Sequence, residues 1–342
     1  MQDRGRNFSW NAWKRAPAPC DDAPTVPCPL NAVHPSPALS VIIPTHRRAP
    51  ILALCLERLA RQTIADRLEV IVVSDGGDDE TQVAVSEQRT ANSSARCPLP
   101  TVRFINIPPC HQGVARNRGV AEATAPYVLF IGDDILLERD ACEIHVQAHD
   151  SYGLLAMGSR QFTAHSSQLT AILGHTAWDP AAGITPAMRW LDRTGWQFGY
   201  TRIAAYAHRA LPQAIQHRFT YTSHISLPTE IARRFPFRED VSLYGWEDVE
   251  WGLRLRDAGI ALLYEPNARA LHHHRLSLED SLKRMETIGR SAVAMARMDP
   301  AFDRAPRGWK RLAYRCISLF PTMRGRHAKA FMQGIDTART QA

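Results

Sequence analysis

The 342-residue chain contains no window near the ~18 uninterrupted apolar residues that a membrane span requires. Its opening segment, MQDRGRNFSWNAWKRAPAPCDDAPTVPCPL, has no apolar core of the kind a secretory leader carries, so the expected location is cytoplasmic, or peripheral at the inner face of a membrane. The seven cysteines, from Cys20 to Cys316, include no CxxC pair, which removes the common zinc and dithiol patterns and predicts reduced, structural thiols. Acidic excess is absent too. The formal charge is +7, and because no zinc-finger or RNP motif accompanies it, nucleic acid is not expected as a partner, while a phosphate-bearing ligand is compatible with it. No early HxH or HxxEH cluster is present, which argues against a metal-dependent hydrolase, and no internal repeat is visible.

What is present is alternation. Residues 1–37 are rich in proline and read as a flexible arm. Beyond them ALSVIIPTHRR reads as a strand, APILALCLERLARQ as a helix with Pro50 in its first turn, LEVIVVSDGGDD as a strand, TQVAVSEQRT as a helix, TVRFINI as a strand, GVARNRGVAEATA as a helix and YVLFIGDD as a strand. This order predicts an α/β fold, a mostly parallel sheet with flanking helices, whose ligands bind beyond the carboxyl ends of the strands. Thr45, Asp75, Asp133 and Asp134 fall at that edge. The segment PTHRRAP after the first strand has no glycine, against the glycine-rich loop a nucleotidyltransferase would carry there. From about residue 150 the pattern loosens into what read as longer loops, and order returns at HRFTYTSHISLPTEIARRFPF, IALLYEPNARALHHHR and a helix from Ser277.

Three clusters bear chemistry. Asp133 and Asp134 are costly to hold together at a strand end without positive charge between them, which suits Mg2+ or Mn2+ with a diphosphate, although a solvated turn with Asp134 near an N-cap is the plain alternative. His272, His273 and His274 end a strand-like run, on which alternate side chains diverge, so at most His272 and His274 face one way together. Glu247 and Asp248 follow Gly245 and Trp246 at a helix start. Acids there serve the free N–H groups and the helix dipole as readily as they serve catalysis, and the residues alone leave both open.

In their order and spacing, LSVIIPTHRR, VIVVSDGGDD, GVARNRGV, YVLFIGDD, TSHISLP, GWEDVEWGLRLRDAG and ARALHHH resemble the family 2 inverting glycosyltransferases, over about residues 39–295. The resemblance implies a GT-A fold (Rossmann-like, nucleotide-diphospho-sugar transferase type). It also implies sugar transfer from a nucleotide-diphosphate sugar, UDP-sugars being the default, to a saccharide or lipid-linked acceptor, as in polysaccharide and cell-envelope synthesis. Pro44, Thr45 and Arg47 would line the nucleotide pocket, Asp75 would accept from the base, and Arg116 would lie near the diphosphate. Asp134 would bind Mn2+ or Mg2+ with Asp133 beside it and His272 completing the coordination. Asp248 would be the general base, and Glu247 a hydrogen-bonding partner of donor or acceptor sugar. The chain departs from the family pattern at Gly132, Ser74 and His224, which motivates the alternative of a non-catalytic sugar-nucleotide or glycan binding protein. His224 is the second candidate base. The implied organisation is a nucleotide-sugar-binding half over 38–145, an acceptor-binding and catalytic half over 146–275, and a basic helical extension over 276–342.

In that extension GWKRLAYRCISLF places Trp309, Leu312, Ala313, Cys316, Ile317 and Phe320 on one helical face, and residues 302–329 hold eight Lys/Arg and one Asp. Two expectations stand side by side: peripheral contact with an anionic membrane, or packing of this face on the catalytic domain.

Overall fold

Runs of valine, isoleucine and leucine that are apolar on both faces build the centre of the sheet. The computed structural model describes residues 36–77, 79–93, 100–158, 170–300, 302 and 304–340, so the proline-rich arm lies, but for its last two residues, outside them. Strand β1 (Leu39–Thr45) is buried along its length except at half-buried Pro44, as befits a strand covered on both sides. Helix α1 (Ala49–Ala60) carries proline in its first turn, where a missing N–H costs nothing, and buries Leu52, Cys55, Leu56 and Leu59. Then follow β2 (Leu68–Asp75), α2 (Asp79–Ser93), β3 (Thr101–Ile107), α3 (Gln112–Glu122) and β4 (Tyr127–Ile131). The strands pair in parallel in the order β3-β2-β1-β4. The order reverses at β1, and the crevice beyond the carboxyl ends of β1 and β4 is where this architecture leaves room for a ligand.

The chain continues through β5 (Ile135–Leu137), α4 (Ala141–Gly158), β6 (Thr170–Trp178), α5 (Pro186–Thr194), β7 (Arg209–Ala210), α6 (Gln213–Gln216), β8 (His224–Pro228), α7 (Thr229–Arg234), α8 (Glu247–Asp257) and β9 (Ala261–His272). These strands extend the sheet to β3-β2-β1-β4-β8-β6-β9-β5, with β8 antiparallel to β4 and β6, β9 parallel to β6, and β5 antiparallel to β9. The fold is the α/β class expected. The long loops expected after about residue 150 are instead largely helix and strand among the described residues. The helical period of α4 is hidden because histidines carry it: His145 and His149 are buried and both meet the Ser226 hydroxyl at 2.8 Å. The division expected at 145/146 falls inside α4.

Three helices close the chain: α9 (Leu278–Met298), entered through a capping box of Ser277 and Asp280, then α10 (Gly308–Ser318) and α11 (Met323–Thr340). Helices α9 and α11 touch backbone to backbone. A Cβ on Gly334 would collide with the Glu286 carbonyl, and one on Gly289 with that of Phe331. No helix among the described residues is long and apolar enough to cross a membrane.

Candidate active site

The carboxyl ends of β1, β2 and β4 open into a cleft of about 1560 Å3. At its floor Asp133 and Asp134 are buried side by side. Thr45 donates to Asp133 at 2.8 Å, and the Arg48 guanidinium forks across the pair, Nη1 at 2.7 Å from Asp133 and Nη2 at 2.8 Å from Asp134. Burial pushes Asp133 up to about 6, against the pull of Arg48. For Asp134 burial acts the same way, but His272 and Arg48 outweigh it and hold the carboxyl well below its ordinary range.

Pairing of β5 with β9 sets Ile135 opposite His272 and so brings the histidine run to Asp134. His272 Nε2 lies 3.3 Å and His274 Nδ1 3.7 Å from Asp134 Oδ2, with the two rings stacked at 5.4 Å. Trp178 stacks on the other face of His272 at 5.0 Å and fixes its plane. His273 points the other way, to Asp179 at 2.6 Å, as strand alternation requires. Asp134, His272 and His274 each offer a ligand atom within 4.8 Å of the others, the geometry of a three-residue metal site.

The wall formed by α8 begins at Gly245, whose φ of 82° lets the chain turn in against Ile288, while Trp246 Nε1 donates to the Ile288 carbonyl at 2.9 Å. Glu247 and Asp248 are then the first two residues of the helix. Asp248 Oδ1 accepts from the Val249 N–H at 2.8 Å, and its backbone carbonyl accepts from Thr220 at 2.6 Å. Burial, reinforced by the charge of Glu247, pushes Asp248 up to about 7. Gln112 donates to Glu247 Oε1, whose partner oxygen is buried without a hydrogen bond. Arg116, one turn along α3 from Gln112, is buried with Nε and Nη1 unbonded and its guanidinium 5.5 Å from the Phe237 ring centre. Burial pulls its pKa down, while Glu247 and Asp248 hold it charged.

Pro44, Thr45, Asp75, Arg116, Asp133, Asp134, Glu247, Asp248 and His272 thus line one cleft, although they come from distant parts of the chain. Asp75 accepts the Cys110 N–H at 2.5 Å. Arg47, expected in the nucleotide pocket, does not line the cleft. Its φ of 52° turns the chain at the strand end, leaving Arg47 exposed and Arg48 inward. His224 is also absent from the cleft walls: it is fully buried in the sheet, its ring filling the space a side chain on Gly174 would take. Sequence reasoning missed Arg48, Gln112 and Arg284, which also line the cleft, Arg284 with its buried Nε unbonded. For Gln112 a signal existed, the i, i+4 spacing from Arg116.

Comparison with known proteins gives a consistent result. Residues 40–199 match the family model "Glycosyl transferase family 2". A PGL/p-HBAD biosynthesis glycosyltransferase of Mycobacterium bovis (strain BCG / Pasteur 1173P2) is 42% identical over 108 residues, 31% of this chain and 39% of that protein. The glycosyltransferase YibD of Escherichia coli (strain K12), itself uncharacterized, is 35% identical over 96 residues, 28% of this chain and 26% of its own. The matched region therefore spans less than half the length of these relatives. A mannosyltransferase from Pyrobaculum calidifontis, solved with GDP-Man and Mn2+, superposes over 89% of this chain and 74% of its own at 17% identity and a TM-score of 0.51, a likeness of fold.

Proposed function

We propose, from the premise that residues 40–199 form a glycosyl transferase family 2 domain, that the chain moves a sugar from a nucleotide-diphosphate sugar to a saccharide or lipid-linked acceptor with inversion at the anomeric carbon. The observation that carries this is a single cleft with two differently equipped walls, Asp133, Asp134, His272 and His274 on one and Arg116, Glu247 and Asp248 on the other.

An inverting transfer is one in-line displacement, which needs a base for the acceptor hydroxyl and stabilisation of the departing diphosphate. Asp248, with its carboxyl near 7, takes the proton: about half of it is ionised at pH 7, and it is basic enough to accept. Glu247 orients a sugar hydroxyl through its unbonded buried oxygen, and Arg116 directs its unbonded N–H groups to an anionic part of the donor. Pro44, Thr45 and Asp75 bound the nucleotide side.

The residues present fit a divalent cation. One carboxylate, Asp134, and two imidazoles, His272 and His274, converge, and nitrogen donors suit Mn2+ better than Mg2+, which favours all-oxygen shells. Bound there, the ion would offset charge gathering on the leaving diphosphate. Arg48, which bridges the two aspartates, holds their charge in place from the turn between β1 and α1.

The test is a panel of nucleotide sugars, UDP-sugars first, scored by thermal stabilisation with and without Mn2+, followed by NMR of the product anomer. A donor at ~100 times its Kd adds about 2.7 kcal/mol. We expect stabilisation by one nucleotide class, dependent on Mn2+, and a product of opposite anomeric configuration. No stabilisation by any donor, or retention of configuration, refutes the proposal.

A further inference from the structure

The four most exposed large apolar side chains among the described residues are Trp309 (76%), Leu312 (64%), Leu319 (82%) and Phe320 (62%), all on α10 and the turn that follows it. At about 100° per residue, Trp309, Leu312, Cys316 and Phe320 form one stripe along the helix. No residue of α10 is buried. The stripe is edged by cations, Lys310 on one flank and Arg315 on the other, with Arg307 before it and Arg324 and Arg326 after.

The opposite side of α10 is firmly held. Arg311 reaches Asp336 of α11 at 2.6 Å, flanking Arg315 approaches the same carboxylate at 3.5 Å, and the Tyr314 ring sits 5.8 Å from that of Phe331. Tyr314 and Lys310 also line the cleft. Helix α10 is therefore two-sided: one side closes the cleft and is anchored on α11, and the other offers bare apolar side chains to the surroundings.

A protein partner would need acids to match the cations, set around an apolar groove. An anionic bilayer supplies both features without any specific shape, with phosphates at the level of the cations and acyl chains beneath the rings and leucines. We propose that α10 and the turn after it dock this protein on an anionic lipid bilayer, with the α10 end of the cleft at the membrane surface. The acceptor then reaches the cleft from the bilayer, as a saccharide carried on a lipid. That last step rests on the function proposed above, whereas the docking does not.

The experiment floats the full chain with vesicles of phosphatidylglycerol and phosphatidylcholine, and with phosphatidylcholine alone, without donor or metal. The expected result is flotation with the anionic vesicles, weakened by salt. In the triple variant Trp309→Ser, Leu312→Ser, Phe320→Ser the partition falls roughly tenfold or more, because each lost side chain is one that enters the acyl boundary. Its melting temperature stays at the wild-type value, because all three side chains are exposed in the fold. Equal absence from both kinds of vesicle, or undiminished flotation of the triple variant, overturns the proposal. So does sedimentation showing a dimer of the full chain that the triple variant dissolves, which would assign the stripe to a second copy. A chain that floats but transfers no sugar refutes the proposed function and leaves the docking standing. One that transfers to a free saccharide and never floats refutes the docking alone.

Discussion

Asp248→Asn separates a catalytic carboxylate from a helix cap. The structural part of the change is small. Asparagine keeps an oxygen for the Val249 N–H, now at 2.8 Å, and asparagine serves a helix start about as well as aspartate, so the loss of stability should stay within about 0.5 kcal/mol. A gain is in fact expected near neutral pH. Burial and then Glu247 raise the folded-state carboxyl to about 7, so between its unfolded value and 7 the folded protein holds more protons than the unfolded one and wild-type stability falls as pH rises. The asparagine variant loses that fall. Chemistry responds differently. General-base catalysis is worth ~10² to 10⁴-fold, or about 2.7–5.5 kcal/mol of barrier, and kcat should drop by that factor while donor affinity holds. With Asp248 as the proposed base, the ionised form is the active one, so the rate should climb about tenfold per pH unit below about 7 and stay flat above, and the variant should lack this acid limb. The assay is transfer across pH with donor Kd and melting temperature in parallel. Transfer within about threefold of wild type, with the acid limb preserved, refutes the assignment and returns Asp248 to a capping role.

Other substitutions probe the remaining parts. His272→Ala and His274→Ala should each weaken Mn2+ binding ~10-fold or more by calorimetry, while His273→Ala, whose ring bonds Asp179, should leave it near wild type; equal losses at all three would contradict the alternation. Arg48→Ala should lower the melting temperature of the metal-free protein by an amount equivalent to about 1 kcal/mol, since Arg48 is partly exposed, and Mn2+ should restore it. Gly334→Ala should destabilise by about 1–3 kcal/mol in denaturant titration, because α9 leaves no room for a methyl group; an unchanged midpoint would mean the helices separate easily.

The alternation of strand and helix was plain in the sequence because the β1, β2 and β4 segments are apolar on both faces and end in polar residues. The paired acids were equally visible, since Asp133–Asp134 and Glu247–Asp248 each sit at an element boundary. What remained hidden turned on single-residue geometry. Arg47 and Arg48 are chemically alike, and only the left-handed turn at Arg47 decides which of them meets the aspartates. Parity on β9 puts His272 and His274 together, but which side they share depends on β5, a strand of three residues too short to read. Helix α4 escaped notice because its buried face carries His145 and His149. At α10 the pattern showed a stripe but not whether anything covered it, and exposure is a property of the folded neighbours.

The three-residue strand β5 also has a bearing on how the molecule folds. Through it Asp134 is seated beside histidines that lie far along the chain, the antiparallel contact with β9 being among the most distant in sequence. Such contacts close late, after the nearer pairings of β1 to β4 have offset part of their loop entropy. An ion at this corner has nothing to bind until the sheet is nearly complete, so it cannot act as a template for early steps. Mn2+ should therefore slow unfolding and leave the refolding rate where it was, making the ion a brake on loss of the native state rather than an aid to reaching it.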